Sequence, residues 1–301
     1  MTAIGLDIGG TKIEARVFAR DWSEATRRRV PTPQDYEALV AAVVDQITWA
    51  EGETGGAAAV GIGSAGLVNP KTGYALTANL VASGRPFPRD IAGAVGRDVT
   101  YINDCNALAL SEAVFGAGKG HRTVMGLIIG TGIGGGTVVD GKLLHGPTAT
   151  AGEFGHIAAP AHLVVEHDLP VIRCGCGRIG CIETYVAGPG LERLAQHLTS
   201  KRLAAPDIAA ARDGEMQRAW RIWCQLAGEM IAGLTMTVDP DAIVLGGGLS
   251  AVPGVADDLM EHAGAAQISG FGNAPIVLAE GGDASGARGA AYAAWLEHAN
   301  G

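Results

Sequence analysis

Ile4-Gly5-Leu6-Asp7-Ile8-Gly9-Gly10-Thr11-Lys12-Ile13-Glu14-Ala15-Arg16-Val17 reads as an apolar strand, a glycine turn and a second strand. Ile13, Ala15 and Val17 alternate with Glu14 and Arg16, the period of a half-buried strand. The same design recurs near the middle of the chain. There Val124 to Ile129 leads into Gly130-Thr131-Gly132-Ile133-Gly134-Gly135-Gly136, and Thr137 to Val139 leads out. Two strand–glycine turn–strand units predict a duplicated α/β architecture, each copy facing a shared cleft.

A turn of this kind presents backbone N–H groups with no Cβ in the way, so a phosphate can approach closely. Thr11 adds a hydroxyl, Lys12 a charge, and Asp7 a carboxylate able to hold Mg2+ through water. An ordinary hairpin with glycine at positive φ is the competing reading. Residues Gly130 to Gly135 also match G-x-G-x-x-G, the dinucleotide fingerprint, but that motif must open a helix. Here a strand-like Thr137-Val138-Val139 and the turn Asp140-Gly141 follow, which favours a second phosphate hairpin. A third glycine run, Gly246-Gly247-Gly248, ends the apolar strand Ala242 to Leu245 and suits a nucleoside lying against a helix start.

Between these turns the pattern predicts further elements. Val30-Pro31-Thr32-Pro33 breaks the chain, and Asp35 caps a helix from Tyr36 to about Glu51 with Leu39, Val43 and Ile47 on one face. A strand from Ala57 to Ile62 enters the loop Gly63-Ser64-Ala65-Gly66. Val99 to Ile102 is another strand, followed by Asn103-Asp104 and a helix from about Asn106 to Phe115. Active groups of α/β folds often stand at such a strand end. Asp104 is either a helix cap or a base accepting a hydroxyl proton, kept ionised by the helix dipole. Gly116 to Gly120 forms a joint between lobes, Met216 to Val238 a long helix, and Asp283 to Leu296 a final Ala/Gly-rich helix suited to close packing against a neighbouring lobe.

The 301 residues suit two lobes, and 48% hydrophobic content supplies large cores. A net charge of −9 and a pI near 5.3 argue against nucleic acid as a partner. Arg27-Arg28-Arg29, the basic run, reads as a solvated turn between strands. Asp7 interrupts the short apolar start, which argues against a signal peptide. No run approaches the roughly 18 apolar residues of a membrane span. Three of the five cysteines cluster in Cys174-Gly175-Cys176-Gly177-Arg178-Ile179-Gly180-Cys181. That pattern fits a metal knuckle in a reducing cytoplasm, with Cys105 and Cys224 unpaired and buried. His156 offers the fourth ligand of a closed, structural zinc site, with His162 and His167 as alternatives. Glu153 and Glu183 flank it and can accept from sugar hydroxyls.

Together these motifs resemble the ROK family of sugar kinases and sugar-responsive repressors, over essentially the whole chain. The resemblance implies an α/β, two-lobed, actin-like (ribonuclease H-like) sugar kinase fold with a central cleft. Its N-terminal lobe would span 1–118, completed by a helix at 284–301. The C-terminal lobe, 119–283, would carry the zinc knuckle. ATP would be held by Asp7, Gly9, Gly10, Thr11, Lys12, Gly130, Thr131, Gly132, Gly134, Gly135, Gly247 and Gly248, with Mg2+. Sugar would be held by Ser64, Asn79, Asn103, Asp104, Glu153, His156 and Glu183, with Asp104 the catalytic base. His156, Cys174, Cys176 and Cys181 would ligate a structural zinc.

The long His156-to-Cys174 spacing and Ile182-Glu183-Thr184-Tyr185 are most similar to the branch acting on N-acetyl-D-glucosamine at its 6-hydroxyl. Ala65 departs from the family, which usually carries Pro there. Kinases for glucose, fructose or N-acetylmannosamine, and a non-catalytic sugar sensor, are the alternatives. Repressors of the family carry an N-terminal helix-turn-helix, for which the hairpin at Asp7 leaves no room. Relatives are often dimers, so a homodimer is a further implication.

Overall fold

The computed structural model describes residues 2–55 and 59–300. Ala57, where the sequence starts a strand, and Gly301, at the end of the expected last helix, lie outside the described residues. The first strands are β1 (Ala3–Ile8), β2 (Lys12–Phe18), β3 (Glu24–Pro31), β4 (Ala59–Ser64), β5 (Leu67–Val68), β6 (Ala75–Leu76) and β7 (Thr100–Asn103). The later ones are β8 (Thr123–Ile129), β9 (Ile133–Val139), β10 (Lys142–Leu143), β11 (Ala242–Gly246) and β12 (Ile276–Leu278). The helices are α1 (Tyr36–Thr54), α2 (Phe87–Val95), α3 (Asp104–Phe115), α4 (Ala161–Glu166), α5 (Glu183–Val186), α6 (Gly188–Thr199), α7 (Ala205–Ala210), α8 (Gln217–Val238), α9 (Val255–Ala266) and α10 (Ser285–Asn300). None of the helices among the described residues is long and apolar enough to cross a membrane.

The chain forms two compact units. The first takes everything up to Gly120, then residues 136–152, then the stretch from Glu280 onward. The second takes His121–Gly135 and Glu153–Ala279.

In the first unit the sheet order is β3-β2-β1-β4-β7, with β1, β4 and β7 parallel. Successive side chains of β1 point to opposite faces. Ile4, Leu6 and Ile8 enter a core with Leu39, Val43 and Ile47 of α1. Each such buried Leu or Ile contributes about 1.5–3 kcal/mol. Asp35 caps α1 as the sequence suggests, accepting from Ala38 N at 2.9 Å, and Gly55 closes it in the left-handed region.

The opposite face of the sheet carries α10. A Cβ on Gly5, Gly61 or Gly289 would strike the backbone carbonyls of Ala287, Ala290 and Ala107 respectively. The small residues therefore let α10 lie directly on β1, β4 and α3 of its own unit. Buried Glu112 of α3 fixes the approach to that helix. Its carboxylate accepts from Glu280 N (2.9 Å), Gly281 N (2.8 Å) and Ser285 Oγ (2.5 Å).

The arginine run is not a turn. Arg27, Arg28 and Arg29 lie within β3, the edge strand of this sheet. Arg28 pairs with Asp45 at 2.5 Å, and Arg29 pairs with Glu14, which is fully buried. Charged side chains on an edge strand also discourage pairing with another chain.

The second sheet runs β10-β9-β8-β11-β12, with β8, β11 and β12 parallel. The chain passes between the units within β9. The second unit's core is built on α8, whose Trp220 and Trp223 rings stack at 4.7 Å. The Trp223 indole donates to Val186 O at 2.9 Å, so its one polar atom is satisfied.

Candidate active site and metal centre

In the first unit candidate site residues stand at the C-terminal ends of the parallel strands. Ile8 is level with Ser64, and Ser64 with Asn103. The first glycine turn is closed by Gly9 N donating to Lys12 O at 2.9 Å. Neither Gly9 nor Gly10 has positive φ. Gly10 is needed for proximity instead, because a Cβ there would stand 2.7 Å from the Asn79 carbonyl oxygen. Thr32 latches the turn from behind. Its hydroxyl donates to Gly9 O at 2.6 Å, and its N–H donates to Thr11 O at 3.1 Å. The sequence marks Val30–Pro33 as a chain break and as a stretch of family resemblance, without giving Thr32 this latch; a small hydroxyl residue between two prolines was the available signal.

Asn103, not Asp104, caps α3. Its Oδ1 accepts from Cys105 N (2.8 Å) and Asn106 N (3.1 Å), and its Nδ2 donates to Gly66 O at 3.0 Å. The helix therefore starts at Asp104, two residues earlier than the apolar pattern suggests. Asp104 Oδ1 also accepts from Cys105 N at 2.9 Å. Burial pushes the Asp104 carboxyl above its ordinary range, overriding these hydrogen bonds and the helix terminus that favour the anion. Asp7 is pushed up to about 6, chiefly by burial and then by Asp104 and Glu14, with Lys12 and Arg16 opposing. Two neighbouring carboxylates that resist joint ionisation are a donor set suited to a hard divalent cation.

The Ser64 side chain is fully buried, so it shapes the end of β4 rather than meeting solvent. Asn79 is exposed. A cavity of about 90 Å³ adjoins Asn103 and is lined also by Gly66, Leu67, Tyr101, Asn106 and Ala149.

In the second unit, three backbone features converge. Gly130 closes its turn by donating to Gly132 O at 3.0 Å, and its own carbonyl accepts from Gly188 N, at the start of α6, at 2.8 Å. Gly247 has φ 88° and sits against Ile129, where a Cβ would stand 2.5 Å from the carbonyl oxygen. A Cβ on Gly135 would stand 2.0 Å from the Gly126 carbonyl oxygen and 2.7 Å from Cε2 of the Phe154 ring. These turns follow the C-terminal ends of β8 and β11, the ligand-binding edge of parallel sheets.

The cysteine run folds into a small knuckle. Cys174 N donates to Arg178 O at 2.8 Å and Gly177 N to Cys174 O at 3.0 Å, with Gly177 and Gly180 at φ 90° and 75°. Arg178 in turn donates to His156 O at 2.7 Å. The ligand atoms of His156, Cys174, Cys176 and Cys181 all lie within 4.8 Å of one another. A tetrahedral zinc with bonds of about 2.3 Å places its sulfurs about 3.8 Å apart. Cys176 Sγ and Cys181 Sγ are 3.7 Å apart, and Cys174 Sγ is 3.7 Å from His156 Nδ1. The residues thus fit the ion in donor type and in spacing. His162 and His167 face elsewhere, toward Glu229 and Gln225, each at 3.2 Å. Burial pushes the Cys174 and Cys181 thiols up, so their thiolates call for a cation.

Glu153 Oε2 is 3.4 Å from His156 Nε2, leaving Nδ1 to the thiols. Glu183 opens α5, and its Oε2 accepts from Ile133 N at 2.9 Å. A cavity of about 280 Å³ is lined by Glu183, Thr131, Arg173, Cys174 and Arg193. Neither Cys105 nor Cys224 is in a disulfide; Cys224 is fully buried and Cys105 half-buried.

Known proteins match this chain along its length. It is 40% identical over 292 residues to the N-acetylgalactosamine kinase AgaK of Shewanella sp. (strain ANA-3), covering 95% of this chain and 94% of that protein. It is 39% identical over 295 residues to the N-acetyl-D-glucosamine kinase of Escherichia coli O1:K1 / APEC, covering 96% and 97%. The ROK hexokinase from Thermus thermophilus superposes with a TM-score of 0.89 at 32% identity, covering 100% of both chains. Fold and relatives define the class: an ATP-dependent sugar kinase of actin-like fold. The chain belongs to the ROK family, which matches residues 3–297.

Proposed function

We propose that this kinase transfers the γ-phosphoryl group of ATP to the 6-hydroxyl of N-acetyl-D-glucosamine, giving N-acetylglucosamine 6-phosphate and ADP. The observation that carries the chemistry is Asp104, a partly buried carboxylate of raised pKa beside Asn103 at the end of β7. In the transfer, the sugar 6-oxygen bonds to the γ-phosphorus. The bond from that phosphorus to the β,γ-bridging oxygen breaks, and ADP leaves with its electron pair. The hydroxyl proton passes to an Asp104 oxygen. In a loose phosphoryl transfer that proton moves late, so positioning and charge stabilisation dominate.

Asn103 then takes a sugar hydroxyl, and Glu153, His156 and Glu183 accept or donate to others. The glycine turns at Gly9–Lys12 and Gly130–Gly135 offer N–H groups to the phosphates, and Gly247–Gly248 lies against the nucleoside. Asp7 would hold Mg2+, which would supply charge neutralisation at the phosphates. His156, Cys174, Cys176 and Cys181 would hold a structural zinc, which would fix the knuckle.

The relative at 40% identity favours a second reading, N-acetyl-D-galactosamine as the sugar. Coupled ADP release across N-acetylglucosamine, N-acetylgalactosamine, N-acetylmannosamine, glucose and fructose tests both. The highest kcat/KM is expected on N-acetylglucosamine. A preference for glucose or fructose overturns the amino-sugar reading.

A further inference from the structure

Glu183 touches the second glycine turn and the cysteine group at once. Its Oε2 accepts the Ile133 N–H at 2.9 Å, and its Oε1 lies 3.6 Å from Cys174 Sγ. Two glycines make room for it: a Cβ on Gly132 or on Gly155 would stand 3.1 Å from Oε2. Gly155 precedes His156 in the chain. A Cβ on Gly155 would also stand 2.7 Å from the Ile133 carbonyl oxygen. Ile133 is therefore gripped at its N–H by Glu183 and flanked at its C=O by the turn that carries His156. Both neighbours adjoin the metal-binding group in sequence: Gly155 stands one residue before His156, and Glu183 two residues after Cys181.

We infer that Glu183 is a positioning residue for the nucleotide: it ties the Gly130–Gly136 turn to the Cys/His group, so that assembly of that group sets nucleotide affinity as well as sugar affinity. This rests on reading the turn as a phosphate site. A carboxylate has about four lone-pair positions on two oxygens. The Ile133 bond on Oε2 thus leaves Oε1 able to meet a sugar hydroxyl, and one side chain serves both substrates.

The test uses the full chain without sugar. Calorimetry measures binding of the β,γ-imido analogue of ATP with Mg2+, and hydrogen exchange follows the Ile133 amide. Glu183→Ala removes a charge-assisted hydrogen bond, so nucleotide affinity should fall about tenfold and Ile133 exchange should quicken about tenfold. Glu183→Gln keeps an acceptor oxygen and should bind nucleotide within about threefold of wild type. Sugar affinity should fall in both variants. Wild-type protein stripped with a chelator should show the same faster Ile133 exchange, which covers the case of a variant that fails to fold. Nucleotide affinity and Ile133 exchange unchanged in Glu183→Ala, or unchanged on stripping, overturn the inference. A wild-type chain that binds no Mg2+–nucleotide overturns the kinase reading itself.

Discussion

Asp104→Asn separates chemistry from architecture. The amide keeps an Oδ1 that can accept from Cys105 N, now 2.9 Å from the carboxylate, and Asn103 still caps α3. The fold should therefore survive, and what is lost is the proton acceptor. A positioned general base contributes about 10²–10⁴ in rate, or roughly 3–5 kcal/mol of transition-state stabilisation. Stability should move the other way. Burial raises the Asp104 pKa in the folded state, so the folded protein binds that proton more tightly than the unfolded chain. The stabilisation is full at low pH and is lost as pH rises through the folded value. Near neutral pH the ionised carboxylate is a net cost, which a neutral amide removes. Coupled ADP release at saturating ATP and sugar should show kcat down by about 10²–10⁴, while calorimetry finds sugar affinity retained and scanning calorimetry a higher Tm. A kcat within tenfold of wild type would refute the base assignment, and a lower Tm would refute the burial argument.

Elemental analysis should find about one zinc per chain, and stripping it should raise the sugar KM; full activity in zinc-free protein refutes the metal's role. Asp7, at about 6 in the free protein, should make kcat/KM for Mg2+–ATP fall as pH drops below that value, because the protonated carboxyl no longer holds the cation. A flat acidic limb from pH 7 to 5 would count against Asp7 as the Mg2+ holder. Glu112→Ala should destabilise the first unit by about 3–5 kcal/mol by leaving buried donors unpaired, with Glu112→Gln intermediate, as read by urea unfolding. Equal stability of all three proteins would show that Glu112 does not anchor the entry to α10.

Much of the site was legible because its residues sit next to each other in sequence. The glycine turns, the Asn103-Asp104 pair and the cysteine cluster are local words, and α1 announces itself through Asp35 and a regular apolar face. What was not legible depends on partners far along the chain. β3 was hidden because its arginines alternate outward on an edge strand, and their partners, Asp45 and Glu14, lie on other elements. Thr32 could not be linked to Gly9 until the sheet had been formed. Gly10 and Gly135 looked like turn formers, but they are small because Asn79 presses on the first, and the Gly126 carbonyl and the Phe154 ring on the second. Glu183 could be read as an acidic neighbour of the knuckle, yet its bond to Ile133 spans fifty residues of sequence. His156 is the favoured fourth ligand from the sequence already, but His162 and His167 drop out as alternatives only once all three have positions.

The glycine-lined seat of α10 has a consequence for how the protein is made. β1 and β4 leave the ribosome more than 200 residues ahead of the helix that covers their Gly5 and Gly61, with the second unit between them. Domains translated early ordinarily fold as they emerge. Here the seat of α10 on the first sheet stays uncovered while the entire second unit is synthesised, so completion of the first unit is deferred until translation has passed α10.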